Sequence, residues 1–210
     1  MNITIMIILL TAVALFGITV FIKYRRKQKY IRKKGQEGEA AVAQILFGLP
    51  DRKYIVFHDV MLHRENRTSQ IDHVVISRYG IFVIETKNYS GYIRGKDKWE
   101  EWIQFAGRKK YFFRNPVRQN YGHIKALQEL LDFPDKVFYS IIVFPDTTRL
   151  NVRSRKAIIP MSRLRRYIRF RWWRRLSKKE REEAAEQLRL HNDSSRAARK
   201  EHVREVKKIK

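Results

Sequence analysis

QIDHVVISRYGIFVIETKN, residues 70–88, is the stretch from which the rest of the chain is best read. Val74, Val75 and Ile76 form one β-branched run, and Ile81, Phe82, Val83 and Ile84 form another. Arg78-Tyr79-Gly80 supplies a turn between them. The stretch therefore predicts a buried β-hairpin. Three charges, Asp72, Glu85 and Lys87, interrupt its apolar runs. A charge buried in a strand is costly unless it is paired or bound to something.

Side chains alternate along a strand, so Glu85 and Lys87 share a face. Pairing across an Arg78–Gly80 turn brings Asp72 near residues 86–88, with the register left open. Two carboxylates and an ammonium then converge at one end of the hairpin. Carboxylates that converge without a cation repel, and one is driven to hold a proton. A hard divalent cation, Mg²⁺ or Mn²⁺, relieves this and takes one or two carboxylates plus waters and phosphate oxygens. Such a site suits attack of water on a phosphodiester, the cation offsetting charge on the phosphate and Lys87 orienting or deprotonating the water. The plainer reading is a structural ion pair between Lys87 and one acid. An Asp followed by Glu-x-Lys is a short pattern and leaves both readings open.

Outward from the hairpin, the elements predict a mixed α/β domain. GQEGEAAVAQILFG (35–48) places Val42, Ile45 and Leu46 at helical spacing before Gly48 and Pro50. YIVFHDVML (54–62) reads as a strand, and SGYIRG (90–95) as a short one. Asn115-Pro116 is an N-cap followed by proline at the first helical position, opening a helix with Val117, Ile124, Leu127, Leu130 and Leu131. KVFYSIIVFP (136–145) reads as a strand buried on both faces. The expected order is helix, three or four strands, helix, strand. Trp99, Trp102 and Phe105 fall at helix-like spacing and are expected to pack onto the sheet.

The 210 residues carry a formal net charge of +25, unevenly spread. Residues 23–34 hold eight Lys/Arg and no acid. Residues 36–146 hold 16 basic and 14 acidic side chains, and residues 147–210 hold 22 and 7. The centre is nearly neutral, so basicity alone does not make it a nucleic-acid binder. The chain has no cysteine, which excludes disulfides, thiol catalysis and Cys-ligated zinc.

Residues 3–22, ITIMIILLTAVALFGITVFI, are uncharged. Twenty helical residues span about 30 Å, the thickness of a bilayer core. With the cationic run after it, the segment predicts a single-pass anchor in the cell membrane, N-terminus out and the main domain cytoplasmic. A cleaved signal peptide fits less well. A basic n-region is missing, and the apolar run continues eight residues past Ala14. The divisions expected are an anchor over 1–22, a basic juxtamembrane linker over 23–34, the α/β domain over 35–160 and a basic helical tail over 161–210. Within the tail, Ser177 and Glu180 form a capping-box pattern. The block MSRLRRYIRFRWWRRL (161–176) mixes aromatics with arginines. It suits either an interfacial segment at a membrane or single-stranded nucleic acid.

From Gly35 to about Asp146 the sequence resembles the nuclease-related domain (NERD) family of the PD-(D/E)XK, restriction-endonuclease-like superfamily. The resemblance rests on ordered motifs: G-x-x-G-E at Gly35, Gly38 and Glu39, QIDHVVI at 70–76, GIFVIETKN at 80–88, SGYIRG at 90–95, and NPVRQN at 115–120. It implies a central mixed sheet flanked by helices and a Mg²⁺- or Mn²⁺-dependent nuclease site. Asp72 and Glu85 match the metal-binding acids, Lys87 the catalytic lysine, Glu39 an added metal-binding acid, and Gln119 an assisting polar residue. It also implies a nucleic-acid partner, DNA ahead of RNA. Ile71 stands where the superfamily's proline would be, a common replacement.

Two further function classes stand beside the nuclease. One is a non-catalytic, membrane-tethered nucleic-acid-binding or scaffold module, and the other a lipid-surface protein held by its basic tail. Among single residues, Glu39 taken alone reads as a solvated helix residue and Gln119 as part of a cap. His73 points away from Asp72 and reads as structural. His58, His63 and His123 lack ligand-like spacing and are expected to take no part in catalysis.

Overall fold

The computed structural model describes residues 3–64, 67–193, 195, 199 and 202–204, and for 3–12, 64 and 67 the backbone only. The chain divides into two units, Met1–Glu37 and Gly38–Lys210.

In the first unit, helix α1 (Ile3–Phe47) begins and runs without a break through the lysine- and arginine-rich stretch. Val13, Leu15, Phe16, Ile18, Val20, Phe21 and Ile22 are all exposed on it. The expected anchor covers residues 3–22, and the side chains of 3–12 lie outside those described. Among the described residues no helix is long and apolar enough to cross a membrane.

The second unit is mixed α/β, as the hairpin and its flanks predict, but with more strands. Among the described residues there are nine, in two sheets. The larger sheet has the order β1-β2-β3-β7-β9, formed by Tyr54–Arg64, Arg67–Ser77, Gly80–Thr86, Phe138–Phe144 and Ala157–Pro160. The first three strands are antiparallel, while β7 runs parallel to β3 and β9 parallel to β7. Both β3 and β7 have neighbours on each side, and every residue of β3 is buried. That is why their sequences read as continuous apolar runs.

The smaller sheet, order β6-β5-β4-β8, was not anticipated. It is formed by Lys109–Arg114, Glu101–Ala106, Tyr92–Lys96 and Arg149–Arg153. Trp99, Trp102 and Phe105 therefore do not sit on a helix. Trp102 lies on β5, fully buried and stacked on Phe144 at 6.5 Å between ring centres. Gly95 across from it allows this, because a Cβ there would come within 2.3 Å of the indole. The three-residue spacing reflects a turn and a strand that happen to share the period of a helix.

Helices cover both faces of the larger sheet. Helix α2 (Pro116–Leu131) buries Ile124, Leu127 and Leu131 against Val74, Ile76 and Val83. Asn115 caps it as its sequence predicts, accepting from Val117 N. The same side chain donates to the carbonyls of Lys96, Asp97 and Trp99, tying the helix to the smaller sheet. On the other face, Val42 and Leu46 at the end of α1 pack with Leu164 and Ile168 of helix α3 (Leu164–Arg169) against Val75, Phe82 and Ile84. Helix α4 (Lys178–His191) starts at the Ser177–Glu180 capping box and buries Ala184, Ala185 and Leu188 beside α2. Leu164, Ile168, Leu176, Ala184, Ala185 and Leu188 thus belong to the core of this unit.

Candidate active site

Strands β2 and β3 pair Ser77 with Gly80, so the hairpin loop is Arg78-Tyr79 alone. This corrects the three-residue turn expected from sequence. Gly80 belongs to the strand at φ 135, and a Cβ there would meet the Val137 carbonyl oxygen at 2.6 Å. The shorter loop changes the register. His73 faces Ile84, the last pair of the ladder, and the same register carried one step further sets Asp72 opposite Glu85, beside Thr86 at the near edge of the expected 86–88. There the strands part, and Asp72 Oδ2 accepts from Thr86 N at 2.7 Å.

Glu85, Lys87 and two residues of α2 form one cluster. Lys87 Nζ stands 2.6 Å from Glu85 Oε1 and donates to Gln119 Oε1 at 3.0 Å. His123 Nε2 stands 3.2 Å from Glu85 Oε2, and its Nδ1 lies 2.8 Å from Ser69 Oγ. Glu85 Oε2 and His123 Nε2 are both buried, and among the described residues neither has a hydrogen-bond partner. Sequence spacing gives His123 no ligand-like pattern, yet the fold brings its ring against the central acid. The missed signal is its position four residues after Gln119, which puts both on one face of α2. Asn120, between them, points into the sheet and donates to Val83 O and Ser140 Oγ, fixing the helix over β3 and β7.

Glu39 reaches the cluster from α1. Gly38 sets how closely the helix approaches, since a Cβ on it would fall 2.6 Å from Asn88 Cβ. Asp59 completes the acidic side. It lies on β1 opposite Asp72, between the pairs His58–His73 and Val60–Ile71. Its backbone is left-handed, φ 51, which is uncommon for a non-glycine residue. It accepts from Gln70 Nε2 at 2.8 Å and pairs with Arg199 at 2.5 Å. Its only sequence signal is a charge inside the YIVFHDVML run.

The model of a family described as the nuclease-related domain, NERD, matches residues 34–145, just over half of the 210 residues. The chain belongs to the NERD family. It is 46% identical over 107 residues to an uncharacterized protein of Bacillus anthracis, a match that covers 50% of each chain. It therefore spans about half the length of that relative. No solved structure matches it.

Charge is distributed unequally in the NERD domain's acidic cluster. Burial pushes the Asp72 carboxyl well above the usual carboxylate range. Glu85 and Glu39 add to the rise, against the Thr86 amide and Lys87. Burial also raises Glu39, helped by Asp59 and Glu85. For Glu85 burial acts upward too, but Lys87 and His123 overcome it and hold the pKa down at about 2. Burial alone would lower Lys87. Glu85 and Tyr89 outweigh it and raise the pKa, so the ammonium stays charged at neutral pH.

The histidine pair outside this cluster is structural in its contacts. His58 and His73 face each other across β1 and β2 with Nδ1 atoms 2.8 Å apart. Burial and His58 lower the His73 pKa to about 3, so the ring is neutral and acts as no acid at neutral pH. His63 pairs with Asp193 at 3.3 Å, away from the hairpin charges.

Among the described residues no group of three or more His, Asp or Glu is arranged to hold a metal ion. Both oxygens of Glu85 are engaged, by Lys87 and His123. The donor set nevertheless suits a hard divalent cation, which needs only one or two carboxylates. Asp72 and Glu39 are oxygen donors raised first by burial and then by the neighbouring carboxylates, a repulsion that a cation would relieve.

Proposed function

We propose that this NERD protein is a membrane-anchored, Mg²⁺- or Mn²⁺-dependent nuclease that hydrolyses phosphodiester bonds, of DNA in preference to RNA. The observation that carries the reading is the convergence of Asp72, Glu85, Lys87 and Gln119 where β2 and β3 part. Asp72 and Glu39 would hold the cation, with Glu85 adding negative charge behind them. When bound, the cation supplies charge stabilisation on the phosphate and lowers the pKa of a coordinated water.

Lys87 keeps its proton beside Glu85, so its role narrows to donation. Its ammonium orients the attacking water or the phosphate oxygen and stabilises the charge developing there. Gln119 accepts from Lys87 and fixes its direction. His123 fixes Glu85, itself held by Ser69. The anchor is residues 3–22, supported by a charge-free run followed by eight Lys/Arg and by seven large apolar side chains left exposed between Val13 and Ile22. A helix apolar all round is stable only where that surface is covered by protein or lipid.

One observation favours a second reading, a non-catalytic nucleic-acid-binding or scaffold module: Glu85 is already engaged on both oxygens. Cleavage assays decide between them. The full chain in detergent micelles should cut single-stranded, duplex or branched DNA with Mg²⁺ or Mn²⁺, and Asp72→Ala and Lys87→Ala should not. Binding without cleavage, undiminished in Asp72→Ala, would establish the second reading.

A further inference from the structure

At the far end of β2 and β3 from Asp72, cationic side chains crowd together with no acid among them. Arg52, Lys53, Arg78, Arg174, Lys178 and Arg181 line a cavity of about 270 Å³ with Tyr79. Among the described residues the buried Nε atoms of Arg78 and Arg181 have no hydrogen-bond acceptor. Like charges held this closely repel and attract anions.

The cavity adjoins α3 through Tyr54, which lies 6.2 Å from Tyr79 between ring centres and close enough to Arg169 for the guanidinium to act on its hydroxyl. Beyond it, Arg165, Arg166, Arg169, Phe170 and Trp172 line a wider cavity of about 520 Å³. Phe170, Trp172 and Trp173 are 68%, 73% and 65% exposed. The segment bearing them is held down, since Arg175 N and Leu176 N both donate to Arg78 O and Leu176 is buried. The aromatics therefore stand out from a fixed segment, and clustered apolar exposure of this kind marks an interaction surface.

We propose that this end of the domain docks on an anionic lipid bilayer, with Phe170, Trp172 and Trp173 at headgroup depth and the basic cavity taking lipid phosphates. Charge complementarity supports it: residues 147–179 carry 13 Lys/Arg and no acid, and each basic side chain near an anionic leaflet adds attraction. Tryptophan suits the interface because its ring is apolar and its N–H polar. The Trp172 and Trp173 rings meet edge to face, 4.8 Å apart at 73°, rather than as the parallel platforms on which bases stack. Arg78 lies six residues from Asp72 along the hairpin, about 20 Å, so docking here leaves the carboxylate end uncovered.

The test is tryptophan quenching of the full chain in phosphatidylcholine vesicles with brominated acyl chains, with or without phosphatidylglycerol. The chain has four tryptophans, 99, 102, 172 and 173, none within residues 3–22, so the emission does not report insertion of that segment. Quenching is expected in the anionic vesicles and absent from the zwitterionic ones. Trp172→Phe with Trp173→Phe should abolish it, as should Arg174→Glu with Lys178→Glu. Equal quenching in both vesicles, or in neither, overturns the proposal. So does a single-stranded oligonucleotide that binds through these same residues while lipid quenching is absent. None of these outcomes depends on cleavage activity.

Discussion

Lys87 Nζ and Glu85 Oε1 stand 2.6 Å apart, with the carboxylate wholly buried and the ammonium nearly so. Glu85 on β3 and Lys87 just past the strand's end thus neutralise each other inside the domain, while among the described residues Asp72, opposite Glu85, has no such partner. This asymmetry organises the expected behaviour of the site.

Breaking the pair should cost more than replacing it. Lys87→Met leaves a buried carboxylate with His123 alone and should destabilise the domain by about 3–5 kcal/mol. Glu85→Gln combined with Lys87→Met should recover most of that loss, while cleavage stays absent in both. Urea unfolding of the single and double variants measures the coupling.

Asp72 should behave in the opposite way. Its raised native pKa means that the folded chain holds the proton more tightly than the unfolded one. Stability is therefore lost as pH rises from about 3.9, the unfolded value, through the native one. Asp72→Asn removes the charge and retains an acceptor for Thr86 N. At neutral pH without divalent ions its Tm should rise, by about 2–4 °C for each kcal/mol relieved, while cleavage is lost. Added Mg²⁺ should raise the Tm of the wild type and leave that of Asp72→Asn unchanged.

Glu85 supplies the acid limb of the pH profile. Its depressed pKa contributes stability that is complete above the unfolded value, about 4.3, and is lost as pH falls through about 2. The difference in unfolding free energy between wild type and Glu85→Gln should be flat above about pH 5 and shrink below about pH 4. Denaturant titrations across that range provide the measurement.

Gly38→Ala should reverse the usual helix preference. Alanine is favoured over glycine within a helix by about 1 kcal/mol. Here the new Cβ would fall 2.6 Å from Asn88 Cβ, and overpacking costs about 1–3 kcal/mol. The helix must shift and carry Glu39 with it. Both the Tm and the Mg²⁺ affinity should fall, as thermal melts and calorimetry would record.

Much of this was legible in the residues themselves. The hairpin and its three charges, the Asn115 cap, the Ser177 box and the apolar run of β7 are local patterns of period, cap and turn, and each appears where its residues predict, the hairpin with a loop one residue shorter. The β5–β6 hairpin was not legible. Lys109-Lys110-Tyr111-Phe112-Phe113-Arg114 is a largely exposed edge strand, without the alternation that burial of one face would impose. The place of His123 was not legible either: a lone histidine on an amphipathic helix has no local signature, and its contact with Glu85 crosses 38 residues of chain.

The sequence alone thus determined which chemistry-bearing side chains exist and which pairs are local: Glu85 with Lys87 two residues apart at the end of a strand, Gln119 with His123 four apart on a helix. Tertiary structure decided the rest. The two-residue loop set the register that turns Asp72 toward Glu85, the contact of Gly38 with Asn88 brought Glu39 near, and the docking of α2 supplied His123. Register and helix placement are set by the packing of whole faces, summed over many buried side chains. No short stretch of residues carries that information.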